Sequence, residues 1–286
     1  MSTIRTFARS HPLLVTAVGL AIGLAVIWFV PSDGSLANMM FIRLGLTIVM
    51  FAIMAVAAGC NIIVPNAKSI GLSFKKSIYP LVVALVMGVF VLLGTAMKNE
   101  GMVSDWPLQL ALVIMLCLLV GTFEEGLFRG IVFSGLLARF GETRRGLIGA
   151  VIVSSLIFGF VHVTPSIMNG QVVTGLDMAQ AALKTLQAGI LGAFLAALFL
   201  KTRNIWGIAL VHGLNDLFVM LGDALFSGTT STTYVNNDAM MASASVVMYG
   251  VFFLLYIPII VSTVRMLKQV EVPCKGPLPI GGLERL

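Results

Sequence analysis

Residues 108–130 read LQLALVIMLCLLVGTFEEGLFRG. An apolar run leads straight into Glu124, Glu125 and Arg129, three ionisable groups within six residues. Charged residues make up 10% of the chain and hydrophobic ones 58%, so each ionisable group is expected to have a specific job. A mean hydropathy of +1.03 over 286 residues lies far outside the range of a soluble domain. Side chains this apolar need lipid to solvate them. No stretch is polar enough to form a second, soluble unit, so residues 1–286 read as a single integral membrane domain.

Crossing the hydrocarbon core takes about 20 apolar residues in a helix. The spacing predicts spans near 12–30, 39–63, 79–97, 106–123, 147–163, 179–200, 204–222 and 244–266. The class is therefore all-α: a polytopic membrane helix bundle of about eight transmembrane helices. The fourth is expected to run on to Phe140 as a tilted, bent or broken helix, because 106–140 is too long for a straight crossing. The stretch 69–78, SIGLSFKKSI, reads as a short interfacial helix, and the tail VPCKGPLPIGGLERL as a loose end. The N-terminal apolar stretch from Pro12 to Val30 follows Arg5 and Arg9 like a signal peptide. It is long enough to span, and no A-x-A site follows it, so a retained first helix is expected.

Charge bias bears on the same count. Arg5 and Arg9, then Lys68, Lys75 and Lys76, then Arg139, Arg144 and Arg145, then Lys201 and Arg203, and finally Arg265, Lys268, Lys275 and Arg285 fall on one side of an eight-helix topology. The opposite connections carry only Lys98 among the acids Asp33, Glu100, Asp105, Asp177, Asp223 and Asp238. The positive-inside rule then places both termini in the cytoplasm. The same distribution explains the net charge of +6 without a nucleic-acid partner. Cys60, Cys117 and Cys274 are scattered, with no CxxC, and Cys60 and Cys117 read as small buried hydrophobes.

Within the spans, the strongly polar residues are Arg43, Glu124, Glu125, Arg129, His162, Lys184, His212, Asn215 and Asp216. Arg43 and Lys184 sit near span ends, where they are expected to snorkel to the interface. The others lie deeper. A charge at the bilayer centre costs about 2.5–3.5 kcal/mol on insertion scales, so these groups need partners. Glu125 and Arg129 are spaced i, i+4 with the acid first, the favourable order for an ion pair. Such a pair serves equally well to lock helices or to build a site. Glu124 points about 100° away around the helix, so Arg129 does not easily serve both acids. His212 and Asp216 share a face at i, i+4. Three ionised acids against one arginine leave about two negative charges in a low-dielectric site. Two remedies fit: a bound divalent cation, or a carboxyl that keeps its proton. The first suits a His/His/carboxylate ligand set, the second a general acid/base. HExxH, GxSxG, a paired-aspartate arrangement and a P-loop are all missing.

Glu124-Glu125-x-x-x-Arg129, then Phe158-x-x-x-His162, then His212-x-x-x-Asp216 resembles the CPBP family of intramembrane proteases, over roughly residues 118–220. That family includes the type II CAAX prenyl endopeptidases and bacteriocin-processing or self-immunity proteins. The resemblance implies an intramembrane endopeptidase acting on a membrane-associated protein or peptide. Glu124 would activate water with help from His162, and Glu125 and Arg129 would hold the site's geometry. His212 and Asp216 would bind a metal or steady the oxyanion, with Phe158 and Asn215 supporting them. If the reaction depends on metal, one divalent ion such as zinc would be held by His162, His212, Glu124 and Asp216; a metal-free glutamic mechanism is the other form. The third motif often ends in Asn, and Asp216 here favours a cation or donor nearby. His162 falls about 15 residues into its span and His212 about eight, a depth offset of roughly 10 Å. The fifth helix is therefore expected to start outside the hydrocarbon core, or to be tilted or broken. Two other classes remain open, a proton- or ion-coupled transporter and a non-catalytic immunity or scaffold protein. Short loops suggest a bacterial inner membrane.

Overall fold

The structure, a computed structural model, describes residues 6–8, 10–30, 32–57, 62–99, 101–230 and 234–274. Arg5, Arg9, Cys60, Glu100, Lys275, Arg285 and the C-terminal stretch 275–286 lie outside the described residues. The elements are helical: α1 (Pro12–Phe29), α2 (Leu36–Ala57), α3 (Ala67–Lys98) and α4 (Trp106–Glu125). A π-helical segment, Gly126–Phe133, follows, and then come α5 (Ser134–Phe140), α6 (Arg144–Val161) and the short α7 (Thr164–Met168). The chain continues through α8 (Gly175–Thr202), α9 (Ile205–Ser227) and α10 (Ala239–Lys268). With Trp106–Phe140 taken as one continuous helix, eight are long and apolar enough to cross a membrane, and each overlaps an expected span. The chain is an all-α integral membrane protein.

Short polar residues open these helices. The side chains of Asn66, Thr143, Asn204 and Asp238 accept backbone N–H bonds from Ser69, Gly146, Trp206 and Met241, at 3.0, 3.1, 3.1 and 2.9 Å. Each cap satisfies a donor that a helix start otherwise leaves open, which matters most near hydrocarbon. Prolines at the first turns of α1, α4 and α7 do related work, having no N–H to satisfy. Gly228, in the left-handed region at φ 68°, ends α9.

The stretch 69–78 is not a separate interfacial helix. It forms the first third of α3, which runs on through Pro80 to Lys98. Its buried residues, Ser69, Ser73, Ser77, Pro80, Val83, Ala84 and Gly88, are mostly small and follow a helical stripe. A stripe of small residues lets another helix approach closely, and α9 packs against α3. What reads as the polar face of an interfacial helix is thus a packing face.

The chain divides into two compact units. Among the described residues, one comprises those within 6–139 and 202–230; the other comprises those within 140–201 and 234–274. In the first, α9 packs on α3 and α4, α2 on α4, and α1 on the π segment. Leu36, Val113, Leu116, Cys117, Val120 and Ala224 are buried together there, as expected of Cys117. In the second, Val163, Ala181 and Val235 form a buried cluster. The side chains of Phe194–Phe199 on α8 are also buried. Arg144 donates to the carbonyls of Leu267 (2.7 Å) and Val270 (2.9 Å), tying the start of α6 to the end of α10.

Candidate active site

The first unit carries five of the expected site residues on two helices. Glu124 and Glu125 end α4, Arg129 lies in the π segment, and His212 and Asp216 lie on α9. The close approach of α4 and α9 depends on glycine. A Cβ on Gly213 would sit 2.6 Å from the carbonyl oxygen of Cys117, and one on Gly121 would strike the backbone of Ala209 and Gly213. With backbones this near, a glutamate on α4 reaches the imidazole on α9.

Glu125 Oε1 accepts from Arg129 Nη1 at 2.8 Å and meets His212 Nδ1 at 2.7 Å. An oxygen that already accepts from a guanidinium acts as acceptor towards the ring as well, so His212 Nδ1 carries a hydrogen and donates it. The side chains of Glu125, Arg129 and His212 are 0%, 2% and 3% exposed, which closes this set to solvent. The expected Glu125–Arg129 pair is present, and it is also a bridge between helices: Glu125 fixes the ring of His212. The bond Glu125–His212 could not be read from the sequence, which paired His212 only with Asp216 on its own helix.

With Nδ1 committed to Glu125, His212 turns Nε2 towards Glu124 Oε2 at 3.9 Å and Asp216 Oδ2 at 3.6 Å. Glu124 and Asp216 are 14% and 19% exposed, unlike Glu125. The acids therefore divide into a fully buried one that orients and two whose side chains are partly exposed. Asn215 is half-buried. Among the described residues, no group of three or more His, Cys, Asp or Glu side chains is arranged to hold a metal ion.

The π segment supports this arrangement from below. A π turn leaves backbone carbonyls poorly matched, and in a membrane they need partners. Ser134 Oγ donates to the Arg129 carbonyl at 2.7 Å, and Thr16 Oγ1 of α1 donates to that of Ile131 at 3.4 Å. The fourth helix does run on to Phe140, and its regular α-form gives way to the π segment one residue after Glu124.

His162 belongs to the second unit, at the C-terminal end of α6, where Nδ1 lies 2.8 Å from the Phe158 carbonyl. A carbonyl only accepts, so Nδ1 donates, and the neutral ring keeps its lone pair at Nε2. Phe158 is fully buried and meets the imidazole edge to face at 4.7 Å.

Two residues expected merely to snorkel are engaged. Arg43, of the first unit, places its guanidinium 5.3 Å from the Phe123 ring centre. Lys184, of the second, lies well inside α8, because that helix starts at Gly175 and not near 179. Its ammonium sits 3.9 Å from the Tyr234 ring centre and donates to Gln187 at 3.2 Å. Asp177, Gln180, Lys184 and Gln187 fall on one face of α8, at i, i+3, i+7 and i+10. That spacing was visible in the sequence and went unused.

Residues 106–218 match the family model of type II CAAX prenyl endopeptidase Rce1-like. This segment is Rce1-like. The match opens at the first residue of α4, closes two residues past Asp216 and contains all three motifs, so the resemblance drawn from them holds. No curated protein and no solved structure matches the chain. The Rce1-like segment supports an intramembrane endopeptidase in general terms.

Proposed function

We propose that this protein hydrolyses a peptide bond of a membrane-associated protein or peptide, with Glu124 as the group that activates water. The observation that carries the reading is the unequal fate of two adjacent glutamates. Glu125 is fully buried and spends one oxygen on both Arg129 and His212, whereas the Glu124 side chain is partly exposed, with its buried Oε2 3.9 Å from His212 Nε2. A general base must reach water, and a positioning group must not move.

In this scheme Glu124 takes a proton from water as the oxygen adds to the scissile carbonyl. It then returns that proton to the departing amine as the C–N bond breaks. His212, when it carries a proton on Nε2, supplies a donor to the oxyanion; its orientation is set in advance by Glu125, so none is lost at the moment of reaction. Asp216 Oδ2 lies 3.6 Å from the same nitrogen. His162 enters the reaction through the motif resemblance, with Nε2 as its basic atom. Two forms of the mechanism fit this reading: His162, His212, Glu124 and Asp216 would hold one divalent ion if the reaction depends on it, and otherwise the glutamic, metal-free form applies. The setting proposed is a bacterial inner membrane.

The test is cleavage of membrane-inserted peptides by purified protein in liposomes, for wild type, Glu124→Gln, His162→Ala and His212→Ala, each with and without chelator. The expected result is cleavage by wild type and loss in all three variants. Loss of wild-type activity on chelation assigns the metal-dependent form, and cleavage undiminished by chelator the metal-free one. Equal cleavage by wild type and Glu124→Gln overturns the assignment of Glu124.

A further inference from the structure

The second unit builds a chain of contacts that ends on His162. Tyr256 Oη accepts from Gln187 Nε2 at 2.9 Å, and Gln187 Oε1 accepts from Lys184 Nζ at 3.2 Å. The Lys184 ammonium rests 3.9 Å from the centre of the Tyr234 ring. That ring in turn meets the His162 imidazole, with centres 6.2 Å apart and planes tilted by 50°. Phe158 contacts the imidazole as well, at 4.7 Å and 66°, and the Phe158 carbonyl takes the Nδ1 hydrogen.

A hydrogen bond at one nitrogen fixes the tautomer but leaves the ring able to swing about that bond. Contact with two aromatic rings removes that freedom. An ammonium over an aromatic face is held by the ring's quadrupole, and the attraction is larger where water is scarce. Lys184 therefore helps to anchor Tyr234, which lies in the stretch between α9 and α10. Gln187 and Tyr256 hold Lys184 over the ring rather than letting it extend towards the interface.

We propose that Tyr234 is a positioning residue for His162, held in place by Lys184. It sets the direction in which Nε2 points. The consequence for catalysis rests on the endopeptidase reading; the geometric content does not. Neither residue belongs to the three motifs, and Tyr234 lies beyond the Rce1-like segment altogether.

The experiment uses full-length protein with isotope-labelled histidine in liposomes or micelles. The chain has only three histidines, so spectra of His11→Gln and His212→Asn variants assign the His162 ring. Tyr234→Leu is expected to shift or broaden the His162 ring nitrogen resonances. It should also lower kcat about tenfold while moving KM less than about twofold. Tyr234→Phe, which keeps the ring, is expected to restore the spectrum and most of kcat. Lys184→Met should act in the same direction, by about threefold, with recovery in Lys184→Arg. Should Tyr234→Leu fail to fold, the Lys184 pair carries the test alone. Unchanged His162 resonances in Tyr234→Leu overturn the proposal, as does Tyr234→Phe behaving like Tyr234→Leu. If neither wild type nor any variant cleaves peptide, the endopeptidase reading falls, and the resonances still decide whether Tyr234 positions His162.

Discussion

The two units bury polar groups by opposite means. In the first, between α4 and α9, charge answers charge: Arg129, Glu125, His212, Glu124 and Asp216 lie in one connected set. In the second, between α8, α10 and the loop at Tyr234, the Lys184 ammonium is held by an aromatic face, the buried Asp177 carboxylate by backbone N–H groups, and amides and a hydroxyl carry further links. Charge pairing makes the fully buried members, Glu125, Arg129 and His212, essential, because removing one strands another in a low-dielectric medium. The seam of the second unit degrades more gently, because each link is weak and the reference state in lipid also finds partners.

That contrast is broken most forcefully at Glu124. Glu124→Gln keeps shape and hydrogen-bonding capacity but removes the proton acceptor. Peptide cleavage is expected to fall on the order of 10^3-fold with little loss of stability, as a rate assay alongside thermal unfolding in detergent will show. Arg129→Met comes next. It leaves Glu125 buried without its cation, and unfolding measurements should report a loss of about 3–5 kcal/mol. If Arg129→Met costs no more than a neutral substitution, the charge-pairing account of the first unit is wrong.

A smaller effect is expected from Gly213→Val. The added side chain meets the Cys117 carbonyl and pushes α9 from α4, for about 1–3 kcal/mol of stability. Because the same shift lengthens the Glu125–His212 bond, cleavage should fall further than stability alone explains. Smallest is Gln187→Leu in the second unit. It removes the links to Lys184 and Tyr256 and is expected to cost about 0.6 kcal/mol, the mean for such bonds between membrane helices. A cost as large as that of Arg129→Met would erase the distinction between the units.

How much of this was legible follows the same division. The eight spans were readable because lipid demands long apolar runs, and lipid is blind to details of packing. The ion pair Glu125–Arg129 was readable because both residues sit on one helix. The bond from Glu125 to His212 was not, since it depends on α4 and α9 meeting at Gly121 and Gly213, which no spacing within one helix reveals. The serines of 69–78 misled for a related reason: a small polar stripe looks the same whether water or another helix covers it. Lys184 was misplaced because α8 starts four residues before its apolar run does, capped by Thr174 and Asp177. Tyr234 carried no signal at all, being a loop residue brought to its partners only by the fold.

The π-helical segment gives the fourth span a dependence on chain length as well as on composition. A π turn holds one residue more than an α turn, and each residue rotates an α-helix by about 100°. Deleting one residue between Gly126 and Phe133 would let the helix close into ordinary α-form, with every side chain in Trp106–Phe140 still apolar where it must be. Hydropathy would barely register the change. Yet α5 would turn by about a quarter of a circle relative to α4, whose acids the packing at Gly121 and Gly213 holds near His212. A shortened chain of this kind would still insert and still fold as eight helices, with α5 aimed at the wrong neighbours.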